Sequence, residues 1–139
     1  VTRSTVLVVG EKYQPHSLAF SVFAVAAGIL HFTLSQGPTV LDVLWPGWAV
    51  AGWYVMLGAG GVFGLLGVAW PSIVWGWLLE RAGQVGVAAP TAVFSMMAFY
   101  AGGWNAVVGG GLIACWSAAS VWRVWQINRS LKRITRDAL

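Results

Sequence analysis

The sequence predicts an all-α, integral membrane four-helix bundle, with an interfacial helix between the second and third spans and an amphipathic C-terminal helix. Three observations carry this. Of 139 residues, 58% are hydrophobic and 9% charged, with ten Trp, whereas a soluble domain carries about 25% charge. The charges are also widely spaced: residues 13–41, 43–79 and 82–122 contain no Asp, Glu, Lys or Arg, which leaves uncharged runs of 29, 37 and 41 residues. Finally, a span needs about 20 residues, and the four spans these runs accommodate place every Lys and Arg on one side.

The first span is expected at about 17–35, closing at the turn signal Gln36-Gly37-Pro38. A wet loop with Asp42 and Trp45-Pro46-Gly47 follows. The second span covers about 48–70 and stops before Pro71, which disfavours helix at the residue before it. Residues 72–84 are short and end in Glu80-Arg81, so they are expected to lie in the interface rather than to cross. The third span is expected at about 85–101 with Pro90 near its start, where proline is tolerated. Gly102-Gly103-Trp104-Asn105 makes the turn, and the fourth span occupies about 106–125. The single membrane domain then ends in a basic cytoplasmic tail, 126–139. Residues Thr5 to Gly10 are too few to span and fit a short strand or an interfacial segment. No small-x-small cleavage site closely follows the first apolar run, which argues against a removed signal peptide.

Arg3, Lys12, Arg81, Arg123, Arg129, Lys132, Arg133 and Arg136 share one side, and the opposite loops have no Lys or Arg. By the positive-inside rule both termini are expected in the cytoplasm. Arg81, Arg123, Arg129, Lys132, Arg133 and Arg136 are the residues expected to meet lipid headgroups or fix topology. Trp48, Trp70, Trp75, Trp77, Trp104, Trp122 and Trp125 are expected at the membrane interface, where amphipathic rings prefer to lie. In the tail, Val124, Ile127, Leu131, Ile134 and Ala138 recur at spacings of three and four, marking one apolar helix face. A short basic helix without a recognised nucleic-acid fold gives no reason to expect a nucleic-acid partner.

Chemistry-bearing groups are sparse. No Asp, Glu or Lys lies inside the expected spans, and no Ser-His-Asp set, paired carboxylates or phosphate loop can be assembled. His31 falls near the outer end of the first span, and the single cysteine, Cys115, mid-span in the fourth. No enzyme activity, cofactor or metal is expected. Small residues at helical spacing point instead to packing: Ala24 with Gly28, Gly60 with Gly64, the triplet Gly110, Ala114 and Ala118, and the adjacent Gly111, Cys115 and Ala119. Such faces let helices approach closely in lipid. They also fit lateral association, so the expected partners are the lipid bilayer and either further copies of the chain or a larger membrane complex.

In overall pattern the chain resembles small membrane proteins of actinobacterial phages, several of them holin-like. The resemblance rests on the short polar start, the Trp- and Gly-rich spans, Leu78-Leu79-Glu80-Arg81-Ala82-Gly83, and Val121-Trp122-Arg123-Val124-Trp125-Gln126-Ile127 leading into a basic tail. It implies a holin-like protein that oligomerises and permeabilises the inner membrane during phage lysis. The alternatives are a non-catalytic accessory subunit or assembly factor of a larger membrane complex, and a small transporter or channel with a path through His31, Ser95 or Asn105.

Overall fold

The computed structural model describes residues 15–34 and 39–137 and is helical throughout. Four long helices are present: α1 (Pro15–Leu34), α3 (Gly47–Ala69), α4 (Ile73–Gly102) and α5 (Val107–Asp137). A short helix α2 (Thr39–Leu44) links α1 to α3, and a 3-10 turn (Gly103–Ala106) links α4 to α5. The stretch of residues 1–14, with Arg3, Glu11, Lys12 and the Thr5 to Gly10 run, lies outside the described residues, as do the Gln36-Gly37-Pro38 turn signal and Ala138. Two helical stretches, Gly47–Ala69 and Ile73–Arg136 (α4 and α5 read through their turn), are long and apolar enough to cross a membrane. Pro15–His31 is a shorter apolar helix.

Neighbouring helices run antiparallel, as pairs of contacts along them show. Ser21 of α1 faces Gly61 and Gly64 of α3, while Gly28 faces Gly58. Gly60 of α3 meets Gly86 of α4, and Gly67 meets Glu80. Ser117 of α5 reaches the Ala88 carbonyl, and Ser95 of α4 reaches that of Gly110. The fourth side, between α5 and α1, is wider and is filled by rings: Trp116 lies 5.1 Å from Phe20 and 4.8 Å from Phe23, centroid to centroid.

The α3–α4 approach depends on missing side chains. A Cβ on Gly60 would stand 2.7 Å from the Gly86 carbonyl carbon, and one on Gly83 would stand 2.6 Å from the Gly60 oxygen. On the other side of α3, a Cβ on Gly61 would stand 2.7 Å from the Ser21 oxygen. Backbones this close gain dispersion contacts along their length, which is how helices associate where burial from water offers no drive.

Three expectations are corrected. Residues 72–84 do not form a separate interfacial helix. Pro71 ends α3, leaving Trp70 extended (φ −68°, ψ 133°), and α4 then runs unbroken from Ile73 to Gly102, so its helix begins well before residue 85. Pro90 is therefore inside α4 rather than near its start. A proline there loses one backbone hydrogen bond, and hydroxyls gather at the carbonyls just before it: Thr91 Oγ1 donates to Val87 (2.7 Å) and Ala88 (3.0 Å), and Ser117 Oγ to Ala88 (2.9 Å). Such side-chain bonding lets apolar helices tolerate proline. Third, the expected Asp42 loop contains the helical turn α2, which leaves Asp42 exposed and buries Leu41 completely. At the far end of α4 the chain reverses at Gly103, whose φ of 51° favours glycine and whose N–H bonds the Phe99 carbonyl.

Candidate functional site: a buried charge pair and a basic end

The sequence places Glu80 at the charged end of an interfacial segment and Arg123 among the residues that meet headgroups or fix topology. The structure buries both, at 1% and 2% exposure, and joins them. Arg123 Nε donates to Glu80 Oε1 at 2.7 Å and Nη2 to Oε2 at 3.0 Å, a two-pronged pair. Ser17 Oγ of α1 also donates to Oε1 at 2.8 Å and accepts from Gln84 Nε2 at 2.9 Å. One network thus ties α1, α4 and α5 together. A fork-to-fork arginine–carboxylate pair is the geometry in which burial of two charges is best offset. This corrects the expectation for Arg123. With its charge matched by Glu80, it is not presented to headgroups.

Trp77, one turn before Glu80, is also corrected. It is 1% exposed, not spread in a headgroup layer. Near the pair, Ser21 Oγ, Ser120 Oγ and Trp77 Nε1 are buried with no hydrogen-bond partner among the described residues. The other tryptophans named for the interface are on the surface, Trp48 at 80% exposure and Trp104 at 90%, with Trp70, Trp75, Trp122 and Trp125 also exposed. Trp122 and Trp125 lie against each other with centroids 4.8 Å apart.

Arg81, beside Glu80 in sequence, points outward and donates to Asn128 Oδ1 of α5 at 3.0 Å. Past Ile127, which is buried, α5 continues with Arg129, Lys132, Arg133 and Arg136 all exposed. Arg129 is held over the Trp125 ring, 5.3 Å from its centroid.

The small residues named from sequence divide in two. Ala24, Gly28, Gly60 and Gly64 are buried at the α1–α3 and α3–α4 crossings. On α5, Gly110 is buried, but a Cβ there would make only ordinary contact with the Phe99 ring at 3.4 Å. Gly111 has nothing within 4 Å of that position, Ala114 is half-buried, and Ala118 and Cys115 are exposed. The residues named for a solute path are placed separately. His31 stacks on Tyr54 with centroids 3.7 Å apart, Ser95 Oγ is bonded to the Gly110 carbonyl, and Asn105 is exposed in the 3-10 turn. Among the described residues no three His, Cys, Asp or Glu are grouped to hold a metal ion.

Sequence reasoning missed the polar face of α4. Glu80, Gln84, Thr91 and Ser95 are separated by four, seven and four residues, so they share one helix face. All four are buried. That spacing was the available signal, and the charge at Glu80 concealed it by suggesting a helix end. Comparison with protein-family models, with curated proteins and with solved structures finds no match.

Proposed function

We propose that the chain is a non-catalytic, holin-like protein of the bacterial inner membrane, crossing it four times with both termini cytoplasmic, and that it oligomerises to permeabilise the membrane. The observation that carries this reading is the reversed polarity of the helices. The face of α4 with Glu80, Gln84, Thr91 and Ser95 is enclosed, while Val22, Phe23, Ile29, Val55, Phe63 and Leu112 are exposed. Apolar side chains outside and polar ones inside suit a hydrocarbon solvent. The same enclosed face supplies a surface able to line water once several copies rearrange. The gathering of Arg129, Lys132, Arg133 and Arg136 at one end supports cytoplasmic termini.

Induced expression in a bacterium, with growth and membrane potential followed and an energy poison added midway, tests the reading. The expected result is abrupt loss of potential at a set time, advanced by the poison. Normal growth and intact potential at good expression overturn a self-sufficient pore.

A second reading, an accessory subunit or assembly factor, is favoured by the Glu80–Arg123 pair itself, because a two-pronged buried pair keeps the polar face closed. A subunit of this kind is harmless when expressed alone and is degraded when its partner is missing.

A further inference from the structure

We infer that a hollow at the basic end of the molecule, between the start of α4 and the last turns of α5, binds the phosphate group of an anionic lipid. This rests on the membrane reading above. The hollow has a volume of about 190 Å³ and is lined by Trp77 of α4 and by Arg123, Trp125, Arg129, Ser130 and Arg133 of α5. One water needs roughly 10–15 Å³, so there is room for a polyatomic anion.

Its charge follows from the pairing already described. The Arg123 guanidinium is matched by Glu80, so the net positive charge of the lining comes from Arg129 and Arg133. Arg129 is held in place by the Trp125 ring beneath it. Guanidinium groups present a planar fork of donors that matches phosphate oxygens. The second, independent observation is aromatic: the indoles of Trp77 and Trp125 both line the hollow beside the arginines.

A neighbouring hollow supplies the contrast. It is lined by Arg81, Asn128, Leu131, Lys132, Thr135 and Arg136. It too is cationic, but Arg81 is already bonded to Asn128, and its lining residues include no aromatic ring. The first hollow also meets the exposed Trp122–Trp125 pair through Trp125. Aromatic rings beside arginines are the composition of a headgroup layer, which favours a lipid phosphate over a free one.

The test is native mass spectrometry of the full chain in non-ionic detergent, titrated with phosphatidylglycerol or phosphatidylcholine. The wild-type chain is expected to retain phosphatidylglycerol preferentially. Replacing both Arg129→Gln and Arg133→Gln, exposed positions that leave the fold intact, is expected to weaken that retention about 30-fold, from the usual contribution of a basic residue near an anionic surface. Lys132→Gln with Arg136→Gln removes the same charge from the neighbouring hollow and is expected to leave retention within about twofold of wild type.

An equal loss in the two double variants overturns the site, because tail charge alone then accounts for binding. Absence of any preference for phosphatidylglycerol also overturns it. Displacement of the lipid by millimolar inorganic phosphate assigns the hollow to free phosphate and overturns the lipid assignment. Carbonate extraction keeps the two readings apart. A chain released from membranes overturns the membrane reading, whereas a chain that stays and shows no lipid preference overturns only the headgroup site.

Discussion

The two sides of α4 are held by different physics. Toward α3 it presents Gly76, Gly83 and Gly86, and the backbones touch; toward α5 and α1 it presents Glu80, Gln84, Thr91 and Ser95, the first three buried within 3% exposure. At 3.6 residues per turn the two sets lie roughly 100° apart around the helix. The glycine side is held mainly by backbone contact and depends on the absence of atoms. The polar side depends on each donor meeting its acceptor, across to α1 and α5 at Glu80, Gln84 and Ser95 and within α4 at Thr91. A helix built in this way has two distinct failure modes: an added methyl group damages one side, and a removed partner damages the other.

Removing a partner has the larger effect. Arg123→Ala leaves the Glu80 carboxylate buried without its counter-charge, and the expected loss of stability is about 3–5 kcal/mol. Denaturant titration in mixed micelles measures it. The double variant Glu80→Leu, Arg123→Met is expected to recover most of that loss, since a buried pair replaced by apolar side chains of similar volume is often neutral. A double variant as weak as Arg123→Ala alone would show that the pair is an essential net stabiliser and not only a matched cost.

Adding a methyl group comes next. Gly83→Ala places a carbon 2.6 Å from the Gly60 oxygen, and Gly60→Ala places one 2.7 Å from the Gly86 carbonyl carbon. The obstructing atoms are backbone, so the helices must separate. Overpacking of this kind costs about 1–3 kcal/mol. The same titration checks it, and a neutral Gly60→Ala would mean that α3 and α4 are farther apart than the structure places them.

The contrast between the two sides also explains what the sequence revealed. The runs without charge located α1, α3 and α5, because a continuous apolar stretch of span length has few other uses. Pro71 and Gly103 marked helix ends for local steric reasons that need no tertiary contact. Ala24, Gly28, Gly60 and Gly64 were readable for the same reason, as small residues recurring every four positions. Glu80 was not readable as a buried group, because what neutralises it lies 43 residues away on another helix. Taken alone, a carboxylate marks the end of an apolar stretch; next to Arg123 and Ser17 it marks the interior. The misplaced Trp77 and Arg123 follow from that one error.

A milder effect is expected where one polar bond crosses the glycine side. Trp53 Nε1 of α3 donates to the Pro90 carbonyl of α4 at 2.8 Å, and both residues are buried. Trp53→Phe removes the donor and leaves a small cavity beside it. The expected loss is about 1–2 kcal/mol, the net value of a single neutral hydrogen bond plus that cavity. The size of this loss relative to that of Gly60→Ala ranks directional against steric terms at one interface, and thermal unfolding in detergent measures both.

The smallest expected effect separates glycines that make the fold from glycines that are simply present. Gly111 belongs to the stripe with Cys115 and Ala119, yet a Cβ at Gly111 meets nothing within 4 Å. Gly111→Ala therefore meets no obstruction, and it removes the backbone freedom that makes glycine a poor helix residue. Stability is expected to rise, by at most about 1 kcal/mol. Gly111→Leu is the sharper variant. No atom obstructs its Cβ and leucine shares most of alanine's helix propensity, so within a single copy stability is expected to be no lower than wild type. If the open stripe is where copies of the chain meet, as the holin-like reading requires of some face, the same variant reduces oligomer size in detergent. A large loss of stability would place Gly111 inside the packed core instead. Unchanged stability with unchanged oligomer size would leave α5 packed through Ser95, Ser117 and Arg123 and would move the search for a subunit contact to another helix.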